Sequence, residues 1–144
     1  MRIIASGTFD HLHDGHKLFI GTALERGYAL IGLTVDSMTE GKEYAALIQS
    51  YDVRKGAIIE WLALEGYTHG KEYEIIPIST PVGFACDMAR CDAILVTVEN
   101  EGMVAEINRC RALRGLKPLR TERCRLLEDR QGKISSTRIR SSIG

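Results

Sequence analysis

The sequence predicts an α/β fold: a doubly wound parallel sheet of about five strands with helices on both faces. Strand-like and helix-like segments alternate along the 144 residues, the pattern of β-α-β units joined by right-handed crossovers. Two of the strand segments, YALIGLTV over 28–35 and DAILVTV over 92–98, are apolar almost throughout, as strands covered on both faces must be. The length suits one domain with a sizeable core, and no repeat or Pro-, Gly- or Ser-rich linker divides it, so residues 1–144 are expected to form a single unit.

The elements follow in order. Arg2 to Ser6 reads as the first strand, and Gly15 to Arg26 as a helix that Gly27 stops. Tyr28 to Val35 is the second strand, and Asp36 to Ala46 a polar loop. Ser50 is a good N-cap for a helix running to Gly66, with Val53, Ala57, Trp61 and Leu64 predicted on its apolar face. Tyr73 to Ile78 is a third strand, closed by the turn Thr80-Pro81-Val82-Gly83, and Ala85 to Arg90 a short helix. After the fourth strand, Glu101 to Leu113 reads as a helix ending near Gly115. Arg123 to Leu127 is a short fifth strand, and Ser135 caps a last short helix.

Composition narrows the function classes. With 44% hydrophobic and 26% charged residues the chain is globular rather than disordered, and no apolar run approaches the roughly 20 residues of a membrane helix. The N-terminus enters a strand directly and lacks a secretory pattern, so a cytoplasmic location is expected. Cys86, Cys91, Cys110 and Cys124 form no CxxC pair and stand at no zinc-finger spacing; reduced, partly buried thiols are expected. The net charge is zero, yet from Arg109 onward eleven Lys or Arg face only three acids. A basic end on a neutral chain fits a focused anion site better than a nucleic-acid surface, so neither nucleic acid nor membrane is an expected partner.

The segment Ser6 to Lys17, SGTFDHLHDGHK, carries the chemistry. Two imidazoles, His13 and His16, stand three positions apart where a strand gives way to a helix N-terminus, the place where open α/β sheets bind anions. At the other end, Ile134-Ser135-Ser136-Thr137-Arg138-Ile139-Arg140 supplies hydroxyls and guanidinium groups. Together the two ends suggest a nucleoside triphosphate site. Transfer of a nucleotidyl group to a phosphate needs no strong base, because the attacking oxygen is already anionic. It needs positioning and electrostatic stabilisation, usually with Mg²⁺. His13, His16, Lys42, Arg138 and the hydroxyls of residues 135–137 are the residue types for that task. Metal ligation by the histidines, with Asp10, His11 and Asp14 nearby, is disfavoured because zinc helices place His at i and i+4.

GTFDHLHDGH together with ISSTRIR resembles the nucleotidylyltransferase superfamily with HxGH and ISSTxxR-type motifs, whose fold is Rossmann-like. Within it the chain most resembles the archaeal and eukaryotic-type phosphopantetheine adenylyltransferases, in Asp10 to Lys17 and in Glu106-Ile107-Asn108-Arg109 followed by Arg111, Gly115, Leu116 and Pro118. The resemblance spans nearly the whole chain. It implies transfer of AMP from ATP to 4'-phosphopantetheine, giving dephospho-coenzyme A and pyrophosphate.

It further implies that Thr8 and Phe9 lie at the junction of the ATP and acceptor sites, with Thr8 touching phosphate. His13 and His16 would face the triphosphate, His16 stabilising the transition state at the α-phosphate. Lys42 would bridge the acceptor phosphate and the α-phosphate. Ser135, Ser136, Thr137 and Arg138 would hold the β- and γ-phosphates, with Mg²⁺ carried by ATP and no protein metal cage. A homo-oligomer is left open. Two segments depart from the branch pattern, Ser79 to Gly83, where an Asp usually precedes the Pro, and Val98-Glu99-Asn100, where Glu-Thr is commoner. Both would line the acceptor or adenine side.

Related alternatives keep the fold but change the chemistry: a cytidylyltransferase for an alcohol phosphate, a small FAD synthetase, or a non-catalytic adenine-nucleotide sensor. The Asn108-Arg109 and Leu116-Pro118 block argues against the first two, and retention of both His13 and His16 against the third.

Overall fold

The computed structural model describes residues 1–39, 48–80, 83–98 and 101–124. Five parallel strands, β1 (Arg2–Gly7), β2 (Tyr28–Thr34), β3 (Tyr73–Ile78), β4 (Ala93–Val96) and β5 (Arg120–Arg123), form one sheet in the order β3-β2-β1-β4-β5. The connecting helices among the described residues are α1 (Asp14–Arg26), the short α2 (Asp36–Thr39), α3 (Tyr51–Leu64) and α4 (Met103–Leu113), with a 3-10 turn at Gly83–Cys86.

Alternation along each strand sends side chains to two separate cores. Ile3, Ala5, Ile31, Leu33, Ile75 and Leu95 pack under α1 and α3, against Phe19, Ile20, Ile58 and Leu62. On the other face Ile4, Leu30, Ile94 and Val96 meet Val104 and Ile107 of α4 and Ala85 of the 3-10 turn. The sheet is therefore covered on both faces, as the continuous apolar runs required. The chain winds outward from β1 through β2 to β3, then crosses back to place β4 on the other side of β1. The strand order reverses between β1 and β4, and an open α/β sheet leaves a crevice above the carboxyl ends of its strands at that point.

One close approach fixes a residue in β2. A Cβ at Gly32 would stand 2.6 Å from Ser6 Oγ and closer still to Ile78 Cδ1, so only glycine lets β1, β2 and the end of β3 pack this tightly.

Four expectations shift. The loop expected from Asp36 opens with a four-residue helix, α2, whose first-turn aspartate suits the positive end of a helix. The expected helix over 85–90 is instead the 3-10 turn at 83–86. On α3 the buried stripe is Arg54, Ile58 and Leu62, while Val53 and Leu64 face solvent at 52% and 84% exposure. That register is set by Arg54, which is wholly buried because its guanidinium is hydrogen-bonded from inside. The fifth strand begins at Arg120, earlier than expected, pairing Arg120 to Arg123 with Ala93 to Val96. Its RTER sequence is that of a charged, largely exposed edge strand, which carries no hydrophobic alternation to read.

Candidate active site

The loop between β1 and α1 rises at the reversal point of the sheet. It turns sharply: Phe9 and His11 adopt left-handed φ of 49° and 47°, a conformation that costs a side-chain-bearing residue about 1 kcal/mol or more. Packing and hydrogen bonds hold it there. The Phe9 ring is buried against Gly7, where a Cβ would lie 3.1 Å from Phe9 Cζ, and stands edge-on to the His16 ring at 5.5 Å and 88°. Asp10 is fully buried and accepts the Gln49 backbone N–H at 2.8 Å, while Gln49 Oε1 accepts the His11 N–H at 3.0 Å. The loop is thus clasped to the residues that lead into α3.

His13 is the N-cap of α1, with extended backbone (φ −131°, ψ 179°). Its Nδ1 accepts the N–H groups of Gly15 at 3.0 Å and His16 at 3.4 Å, and His16 Nδ1 accepts the His13 N–H at 3.4 Å. This is a reciprocal capping box in which two imidazoles replace the usual hydroxyl and carboxylate. The rings stack at 3.7 Å between centroids, 22° from parallel.

That arrangement fixes the chemistry of both rings. A ring nitrogen that accepts a backbone N–H carries no hydrogen, so the neutral imidazole must protonate at Nε2. Burial, and then the neighbouring His13, push the His16 pKa down from 6.5 to about 3. Burial also lowers His13, against the opposing pull of Asp14. At neutral pH both are therefore neutral Nε2–H donors. His13 Nε2 is buried with no hydrogen-bond partner among the described residues. The positive dipole of the α1 start favours an anion at the same place.

Beneath the loop, Arg54 joins the ends of three elements. Its Nη1 donates to the Thr8 carbonyl at 3.0 Å and to Thr34 Oγ1 at 3.3 Å, its Nε to the Gln49 carbonyl at 2.8 Å, and its Nη2 to Asp36 Oδ1 at 3.3 Å. The Thr34 hydroxyl in turn donates to Thr8 Oγ1 at 3.1 Å. On the opposite side of β1, an apolar cleft opens between Ser6, Ile78, Phe84, Val96 and Met103. A second buried guanidinium anchors its wall: Arg111 Nη1 donates to the carbonyls of Ala85 and Met88, both at 2.8 Å, and Nε to that of Lys117 at 2.6 Å.

This geometry has counterparts in known proteins. A family model described as cytidylyltransferase-like matches residues 4–142. The chain belongs to the cytidylyltransferase-like family. Within that family it is 40% identical over 144 residues to a phosphopantetheine adenylyltransferase of Thermococcus gammatolerans, covering 99% of this chain and 89% of that protein. It is 28% identical to the phosphopantetheine adenylyltransferase of Saccharomyces cerevisiae, covering 93% of this chain and 46% of that longer protein. A solved structure of an Archaeoglobus fulgidus protein of unknown function superposes with a TM-score of 0.76 at 25% identity, covering 94% of this chain and all of that one. The resemblance read from the motifs to the archaeal and eukaryotic-type adenylyltransferases is borne out by these relatives.

In this cytidylyltransferase-like chain the structure gathers Thr8, Phe9, His13 and His16 into one loop and helix start. Phe9 serves there through a ring buried beneath His16. Lys42, Ser135, Ser136, Thr137 and Arg138 lie outside the described residues. Sequence reasoning missed Arg54 and Thr34. The available signal was an arginine in register with Ile58 and Leu62 on an otherwise apolar helical stripe, which only a buried, hydrogen-bonded guanidinium explains.

Proposed function

We propose that this cytidylyltransferase-like protein acts as an adenylyltransferase, moving AMP from ATP to 4'-phosphopantetheine and releasing pyrophosphate and dephospho-coenzyme A. The observation that carries the reading is the pair of neutral Nε2–H donors at the start of α1, above the reversal point of the sheet. The names of relatives up to 40% identical over nearly the full length support the choice of substrates. The proposal takes residues 1–144 as one domain acting in the cytoplasm. Among the described residues, no helix is long and apolar enough to cross a membrane.

In the transfer, an oxygen of the acceptor phosphate bonds to the α-phosphorus of ATP as the bond to the bridging oxygen of the β-phosphate breaks. The nucleophile is anionic, so the protein supplies donors rather than a base. His16 Nε2–H would donate to the α-phosphate as charge shifts outward, with His13 Nε2–H beside it and the Thr8 hydroxyl on the acceptor side. Lys42 would bridge the two phosphates that must meet. Ser135, Ser136, Thr137 and Arg138 would hold the β- and γ-phosphates.

Mg²⁺ would come with ATP and would offset the charge of the phosphate chain. The described residues contain no group of three or more His, Cys, Asp or Glu able to hold a metal, and both histidine Nδ1 atoms are engaged by backbone N–H groups. A metal carried chiefly by the nucleotide fits that donor set.

Pyrophosphate release tests the reading, with Mg²⁺ and ATP or CTP crossed against 4'-phosphopantetheine, glycerol 3-phosphate and FMN. Release with ATP and 4'-phosphopantetheine alone is expected. Release with CTP or another acceptor instead moves the protein to a sister activity.

A further inference from the structure

Thr8 is held from below by two residues that no motif singles out. Arg54 is fully buried on α3 and Thr34 is 9% exposed at the end of β2. We propose that Arg54 and Thr34 form a hydrogen-bond relay that fixes the Thr8 hydroxyl in place against a phosphate oxygen, making both positioning residues for the transfer. This rests on the adenylyltransferase reading.

A guanidinium can only donate, so the Arg54 Nη1 contact at 3.3 Å makes Thr34 Oγ1 an acceptor. The Thr34 hydroxyl donates in turn to Thr8 Oγ1 at 3.1 Å. The three groups form one chain from the buried guanidinium to Thr8, in which each polarised link strengthens the next.

Arg54 is itself immobilised. The same Nη1 holds the Thr8 carbonyl, Nε holds that of Gln49, and Asp36 Oδ1 faces Nη2 while also accepting the Tyr51 N–H at 2.8 Å. The relay is thus tied to β1, β2 and the start of α3 at once, and Thr8 cannot move independently of them. Preorganisation of this kind spares the reaction the cost of orienting a donor as charge develops.

The test is Thr34→Val, which keeps the shape and removes the relay hydroxyl, alongside Thr34→Ser, which restores it. Steady-state turnover with ATP and 4'-phosphopantetheine is expected to fall about tenfold or more in Thr34→Val, with KM for ATP little changed and a near wild-type melting temperature. Thr34→Ser should recover most of the loss. In a Thr8→Ala background the valine should have no further effect, because the relay acts through Thr8. Wild-type turnover in Thr34→Val, no recovery with serine, or an additive effect on Thr8→Ala overturns the relay. If the wild-type protein does not turn over this substrate pair, the functional reading fails separately. Calorimetry with inorganic phosphate, a probe of the acceptor side where Thr8 stands, then decides the relay: weaker binding in Thr34→Val, restored by serine, supports it, and equal binding overturns it.

Discussion

His16 shows how one local hydrogen bond sets both protonation state and role. Because its Nδ1 accepts the His13 N–H, the charged form would have to break the capping box, and burial opposes charge as well. The consequence for stability has a definite sign. An unfolded chain protonates this histidine near pH 6.5, whereas the folded one resists until about 3. The unfolded state then binds the extra proton over that window. The stabilisation is complete above the unfolded value and is lost progressively as the pH falls below it. Melting temperature should therefore drop more steeply between about pH 7 and 4 in the wild-type protein than in His16→Gln, which keeps a capping-box side chain without a titrating ring. Parallel curves would mean that His16 is charged in the folded protein. The same shift predicts that turnover shows no His16 ionisation between about pH 6 and 8.

At the scale of elements, α1 has a double duty that substitutions can separate. His13 caps the helix through Nδ1 and leaves Nε2 without a partner among the described residues. Asparagine is among the best N-caps, so His13→Asn should leave thermal stability close to wild type while turnover falls. His13→Ala should lose the cap as well, at a cost of about 1 kcal/mol. Chemical denaturation and steady-state rates measured on the same samples check both. Equal stability of the two variants would show that the imidazole does not cap α1.

The same helix was the most legible element in the sequence, since strand, glycine-rich turn and stop at Gly27 all carry local signals. The buried face of α3 was not legible, because Arg54 looks like a surface residue until its four acceptors, contributed by β1, β2 and their flanking segments, are in place. The edge strand β5 was misplaced for a related reason. Its register comes from backbone pairing with β4, and charged side chains on an edge reveal nothing of it. In the candidate site, Thr8, Phe9, His13 and His16 share a motif and stand together in the structure, whereas Thr34 and Arg54 beneath Thr8 carry none. Their contacts leave no local pattern, because they meet Thr8 only once β2 and α3 converge.

For the whole molecule, topology explains why so few residues suffice. The sheet reverses beside β1, so the loop after this central strand stands over the reversal point, bonded to Arg54 of α3 on one face, while the cleft under α4 lies on the other face. The sequence showed the alternation of strands and helices, but not which strand is central, because parallel pairing between distant segments leaves no local trace. On the mechanism proposed above, the molecule supplies donors rather than a base at its centre, and one direct measurement tests this. Dephospho-coenzyme A formation should be followed at saturating ATP, Mg²⁺ and 4'-phosphopantetheine in wild-type protein and His16→Ala, with ATP affinity measured in parallel. The account predicts a loss of turnover of about 10²- to 10³-fold with ATP affinity changed only a few-fold. Near-wild-type turnover in His16→Ala would contradict it.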